Sequence, residues 1–198
     1  MVADLGLDRP FVKGQAYPIR NCWHFCTDGN ALDAIFTDDK DFIAGMNRIY
    51  VTVRGYRVVI LAFTLMDTHV HFVLYGEFDE CNRFMHDYIR RTSWDISKRH
   101  KDIHKFRDVP IHHQAVDTDH YLKTVICYTV RNAPVGGLPY TALDYPWSSG
   151  PLYFRRPGHW NTQQRIRLAR TLKSRYNSST KQIVRLYGLI YDEVKDSI

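Results

Sequence analysis

Apolar residues recur along this chain with two periods, two and about 3.6, and the switches between them mark its elements. From Gln15 to Thr27 (QAYPIRNCWHFCT) alternation puts Tyr17, Ile19, Trp23 and Phe25 on one face of a strand, which Asp28-Gly29-Asn30 ends as a turn. Thr37-Asp38-Asp39 then offers a capping hydroxyl and first-turn acids, and Phe42, Met46, Ile49 and Tyr50 follow at helical spacing until Gly55. Tyr56 to Leu65 (YRVVILAFTL) is β-branched and aromatic enough for a buried strand. Met66-Asp67-Thr68 links it to another, His69 to Tyr75, stopped by Gly76. Asp79 to Lys101 is helical again through Phe84, Tyr88, Ile89 and Ile96. Val109 to Ala115 reads as a fourth strand, with Pro110 suited to its beginning or an edge. Asp117 or Thr118 caps a last helix running to about Asn132, which Pro134 and Gly136-Gly137 terminate.

The order β-α-β-β-α-β, followed by a helix, is the α+β, ferredoxin-like split βαβ plan: a mainly antiparallel sheet with helices on one face. No internal repeat or low-complexity tract interrupts it. A boundary at Arg155-Arg156-Pro157-Gly158 divides a domain over 1–155 from a basic helical extension over 156–198. Within the extension, Asn161 to Gln182 holds six basic residues and no acidic one, while Ile166, Ala169, Leu172 and Tyr176 give it an apolar helical face.

Composition narrows the class. At 198 residues and 44% hydrophobic the chain has material for one real core and is not a disordered polyelectrolyte. A net charge of +6 and a pI near 9.1 favour polyanionic partners. The four cysteines, Cys22, Cys26, Cys81 and Cys127, lack zinc-ligand spacing, and reduced thiols are expected. Met1 to Pro10 has no basic-then-apolar leader, and no apolar run reaches the roughly 18 residues that span a bilayer. A cytoplasmic protein without a membrane partner is expected.

The most apolar stretch contains the least expected residues. In a strand, residues i and i+2 share a face, so His69 and His71 point together while Val70 and Phe72 enter the core. Two imidazoles on a rigid strand can serve as paired metal ligands; they can equally be hydrogen-bonded rings on a semi-polar face. Asp67 shares their parity and can orient a ring or simply shape the turn.

A second set lies in Asp119 to Asn132 (DHYLKTVICYTVRN). Leu122, Ile126, Thr129 and Ala133 form a buried stripe, with Tyr121, Val125, Tyr128 and Asn132 on its shoulder. Tyr128 and Asn132 are four apart, one turn from each other on one face. Taken singly, the tyrosine reads as packing and the asparagine as a helix C-cap. If this helix crosses the histidine strand, Asn132 can supply a third ligand and Tyr128 can reach whatever the metal holds. Such a combination suits phosphodiester chemistry, with a hard divalent ion neutralising charge that develops on phosphate.

With His-x-His on a strand and Tyr-x3-Asn on a later helix, the chain resembles the single-tyrosine HUH transposases, in particular the REP-associated tyrosine transposase branch. The resemblance spans about Ala16 to Phe154 and rests on LAFTLMDTHVHFVLYG and VICYTVRNAPVGGLPYTALDYPWSSG. It implies that Tyr128 is the nucleophile forming a 5′-phosphotyrosine, that His69, His71 and Asn132 hold Mg2+ or Mn2+, and that the substrate is single-stranded or hairpin DNA. Two departures stand out. Asp67-Thr68 replaces the family's usual Pro-Asn, and Ala133-Pro134-Val135-Gly136 replaces Pro and a basic residue after the asparagine.

Basic residues then acquire a role. Arg90, Arg91, Lys98 and Arg99 on the second long helix can track a phosphate backbone or form a solvated face. Arg155, Arg156, Arg165, Arg167, Arg170 and Lys173 are the stronger DNA-binding candidates, because no acid offsets them. Trp147 can stack on a base or belong to the core. The leading expectation is a DNA-nicking and joining transposase, with a homodimer left open. Its alternatives are a domesticated hairpin-binding protein of the same fold and a metal-dependent nuclease that uses water.

Overall fold

In the computed structural model, which describes Leu5 and residues 12–101 and 105–153, four strands form one antiparallel sheet in the order β2-β3-β1-β4. The strands are β1 (Cys22–Thr27), β2 (Val59–Leu65), β3 (Val70–Tyr75) and β4 (Ile111–Ala115). The helices are α1 (Asp39–Val53), α2 (Phe78–His100), α3 (Asp119–Val130) and two short ones, α4 (Asn132–Val135) and α5 (Gly150–Tyr153). The ferredoxin-like split βαβ plan is therefore present, with α3 following the last strand as expected. Arg155 and the basic extension, with Arg156, Arg165, Arg167, Arg170 and Lys173, lie outside the described residues.

Three expectations need correction. The first strand begins at Cys22 rather than near Gln15, because Asn21 adopts a left-handed φ of 56° that breaks the extended run; among the described residues before it, Pro18 forms an isolated bridge to Thr118. β3 begins at Val70, one residue after His69. The helices are not confined to one face. Val70, Phe72 and Leu74 join Phe25, Phe63 and Leu65 under α1 and α2, whereas Val73 joins Cys22, Leu61 and Ala62 beneath Leu122 and Val125 of α3. A strand apolar on both sides has to be covered on both.

The helix ends are held by side chains. Asp38 caps α1 by accepting from the Asp41 N–H at 2.9 Å, and Thr118 caps α3 by accepting from the Tyr121 N–H at 3.2 Å. Asp41 itself is fully buried. It accepts from the Thr37 N–H at 3.0 Å, the Thr37 hydroxyl at 2.8 Å and His100 Nε2 at 2.9 Å, and it pairs with Arg99. Arg99 also reaches Asp38 at 2.8 Å, so the start of α1 is clasped to the end of α2. Gly45 lets α1 lie close to the sheet, since a Cβ there would stand 2.7 Å from Phe36 Cε1 and 3.1 Å from Leu65 Cδ1.

Residues 145–149, the Tyr-Pro-Trp-Ser-Ser signature, form a strap along the outer edge of β2. The Leu65 N–H donates to the Trp147 carbonyl at 2.8 Å, the Ser149 N–H donates to the Phe63 carbonyl at 2.9 Å, and the Tyr145 hydroxyl donates to the Leu65 carbonyl at 2.7 Å. Trp147 stacks on Phe42, with ring centres 5.1 Å apart and planes 11° off parallel. Of the two readings of Trp147, the core one is what the structure has. All four cysteines are free thiols. No described helix is long and apolar enough to cross a membrane.

Candidate active site

The sheet presents His71 on the α3 face because its β3 neighbours of opposite parity, Val70 and Phe72, fill the core beneath α1 and α2. His71 is 5% exposed and sits between Thr64 of β2 and Cys26 of β1 in register. His69 precedes the strand but stays tied to the hairpin, its carbonyl accepting from the Met66 N–H at 2.8 Å. Above this row lies α3, anchored where the buried Thr64 hydroxyl donates to the Thr129 carbonyl at 2.6 Å. That bond sets the height of the residue beside it, Tyr128. Thr64→Val keeps the shape of the side chain and removes the donor, so a loss of about 1–3 kcal/mol is expected in urea denaturation.

Asn132 is not in the last turn of the helix that carries Tyr128. α3 stops at Val130, and Asn132 opens α4. Pro134 supplies the reason. It has no N–H to give to the Val130 carbonyl, and its ring would collide with that carbonyl in a continuous helix. The backbone therefore turns at Arg131 (φ −90°, ψ 0°). Asn132 Oδ1 ends 3.2 Å from His69 Nε2. The other nitrogen of His69 is held by the Thr68 hydroxyl, Nδ1 to Oγ1 2.9 Å. Asp67, the alternative orienting group, instead accepts from the Thr68 N–H at 3.0 Å and shapes the turn. Gly29 closes over the same ring, for a Cβ at that position would meet His69 Nδ1 at 3.1 Å.

Four rings converge here. His69 and His71 stand edge to face, with centres 4.9 Å apart at 88°. Tyr128, half exposed at 50%, presents its ring to His71 at 5.4 Å and to His24 at 6.0 Å, both near perpendicular. His24 Nε2 lies 3.1 Å from His71 Nδ1. Burial lowers the His24 ring to about 4. Burial, then repulsion from His24 and His69, lowers His71 to about 3. Both rings are therefore neutral at physiological pH, each with one nitrogen that carries a proton and one that carries a lone pair.

All four residues expected to form the site, His69, His71, Tyr128 and Asn132, are thus together. His24 was missed. It alternates with Trp23 and Phe25, whose apolar face drew the reading of β1, and its parity with Cys22 and Cys26 was the available signal. Val125, placed on the helix shoulder, is buried in the core under α3. Among the described residues no group of three or more His, Cys, Asp or Glu side chains is arranged to hold a metal ion, and the polar group against His69 Nε2 is the amide oxygen of Asn132.

Arg90, Arg91, Lys98 and Arg99 lie on α2, against the other face of the sheet, so they do not line the Tyr128 site. Arg90 and Arg91 both pair with Asp87, the latter at 2.8 Å; Arg99 belongs to the Asp38–Asp41 clasp; Lys98 sits over the exposed Trp94 ring at 5.6 Å.

No protein-family model matches this sequence, and no curated protein matches it. A solved structure is similar in fold: a REP-associated tyrosine transposase bound to a REP hairpin. It aligns with a TM-score of 0.55 at 14% identity, covering 78% of this chain and 93% of that one. At that identity the likeness concerns the fold, a four-stranded antiparallel sheet with its helices.

Proposed function

We propose that the chain cleaves and rejoins single-stranded DNA presented as a hairpin, through a 5′-phosphotyrosine on Tyr128, as a transposase of the HUH single-tyrosine type. The observation that carries this reading is the meeting of Tyr128 with His71 at 5.4 Å beside the His69 Nε2–Asn132 Oδ1 pair at 3.2 Å. Support also comes from the fold neighbour, a tyrosine transposase whose structure holds a REP hairpin.

His69, His71 and Asn132 fit a small divalent ion. Two neighbouring ligands of an octahedral ion, each about 2.1 Å from it, stand about 3 Å apart, close to the spacing of His69 Nε2 and Asn132 Oδ1. A mixed imidazole and amide-oxygen set suits Mn2+, while Mg2+ is the more available ion. When bound, the ion would polarise the scissile phosphate and neutralise its developing charge.

Tyr128 does the covalent work. The hydroxyl oxygen of this half-exposed residue bonds to phosphorus, the P–O3′ bond breaks, and the phenolic proton ends on the departing 3′ oxygen. The products are a 5′-phosphotyrosine and a free 3′-hydroxyl, with neither water nor ATP consumed, so the bond energy is kept for rejoining. The basic residues of 156–198, together with Arg155, are the proposed contacts to the DNA backbone. Incubation with labelled hairpin DNA and Mn2+ is expected to give a covalent adduct on a denaturing gel, and EDTA to prevent it. No adduct across a broad hairpin library would sink the reading.

A further inference from the structure

His24 belongs to no element of the proposed chemistry, yet its ring makes a direct polar contact to that of His71, Nε2 to Nδ1 at 3.1 Å. The two ring planes are within 7° of parallel and their centres are 5.3 Å apart. With the nitrogens so much closer than the centres, the rings meet edge to edge, where an N–H and a lone pair lie in the ring plane. Such a contact holds one hydrogen: one nitrogen donates and the other accepts. The strands fix the pair. Cys26 is opposite His71 and His24 is opposite Val73, so the two histidines are diagonal neighbours on one face of the β1–β3 ladder.

We infer that His24 is a positioning residue for His71: it accepts the Nδ1–H of His71 and so leaves the Nε2 lone pair of His71 free for a divalent ion. This rests on the reading of His71 as a metal ligand. The opposite assignment, with His24 donating, would put the His71 proton on Nε2 and close that nitrogen to a cation. Ligating histidines commonly give their second N–H to a partner that fixes ring and tautomer. The two histidines of the pair then have separate orienting groups, Thr68 for His69 and His24 for His71. A neutral imidazole in that place also adds no negative charge beside Tyr128, where an anionic phosphodiester has to approach.

The test is the tautomer of His71 in the metal-free full chain, read by long-range 15N–1H correlation, together with Mn2+ titration followed by electron paramagnetic resonance. The wild type is expected to carry the proton on Nδ1. His24→Gln, whose side-chain oxygen can accept, is expected to keep that tautomer. His24→Leu is expected to lose it and to weaken Mn2+ binding by about 10- to 100-fold. An Nε2–H tautomer in the wild type, with Mn2+ still bound, would overturn the positioning role alone. So would a folded His24→Leu protein with unchanged Mn2+ affinity. A wild type that binds no Mn2+ at all would overturn the ligand reading of His71, and the inference with it. Should His24→Leu not fold, the wild-type tautomer and the His24→Gln titration decide.

Discussion

Tyr128→Phe is expected to abolish the covalent adduct on hairpin DNA and to lower cleavage by about 10^3-fold or more, with hairpin affinity unchanged. Only the hydroxyl is removed. The ring edges that face His71 and His24 remain, and the half-exposed site leaves no buried polar group without a partner. Stability should therefore move by less than about 0.5 kcal/mol, which separates a chemical effect from a folding one. The outcome also distinguishes the competing readings. A metal-dependent nuclease using water would retain cleavage in the Phe variant. A binding module would bind the hairpin and yield no adduct even with Tyr128 present.

The largest effect on stability is expected at Asp41, far from the rings. Asp41→Ala removes a fully buried carboxylate and leaves Arg99, His100 and the Thr37 N–H without their shared acceptor. Breaking one side of a buried ionic cluster costs about 3 kcal/mol, toward the lower end because Arg99 and His100 are partly exposed, and calorimetry should show a drop in Tm of roughly 6–12 °C. Acid should act on the same clasp. Burial pushes the Asp41 carboxyl up, but hydrogen bonds from Thr37 and His100 outweigh it and hold the group below its usual range. Asp38 is held to about 2, chiefly by Arg99. For both groups folding favours the carboxylate, so their contribution is complete above about pH 4 and is lost as pH falls below it, for Asp38 through about 2. A melting series across that window should fall less steeply for Asp41→Ala than for the wild type. An unchanged slope would remove the clasp from the account.

The histidine pair and Tyr128 were legible because period-two and period-3.6 patterns fix which side chains share a face, whatever the rest of the fold does. Two other features depend on partners that sequence order does not reveal. His24 becomes part of the site only when β1 pairs with β3, which sets it diagonally across from His71. Arg90, Arg91 and Arg99 read as a cationic run along α2, but Asp87, Asp38 and Asp41 engage them, two of those acids coming from the start of another helix. The position of Asn132 lay in between. Its spacing from Tyr128 was right, whereas the break that turns it toward His69 comes from Pro134, read only as a terminator. Thr68 stands at one of the two departures from the residues usual in the transposases that the sequence resembles, and its hydroxyl contacts His69 Nδ1.

The strap along β2 bears on how Tyr128 is held. Thr64 grips the tyrosine helix from below, and Phe63 and Leu65 grip the chain that leaves it, at Ser149 and Trp147. Three consecutive residues of one strand thus pin both ends of the stretch that follows Tyr128, from Thr129 to Ser149, and the next strand carries His71. Moving Tyr128 away from His71 would have to break the Thr64–Thr129 bond. Built this way, Tyr128 and the histidines of a single chain are held to one another through the two adjacent strands β2 and β3.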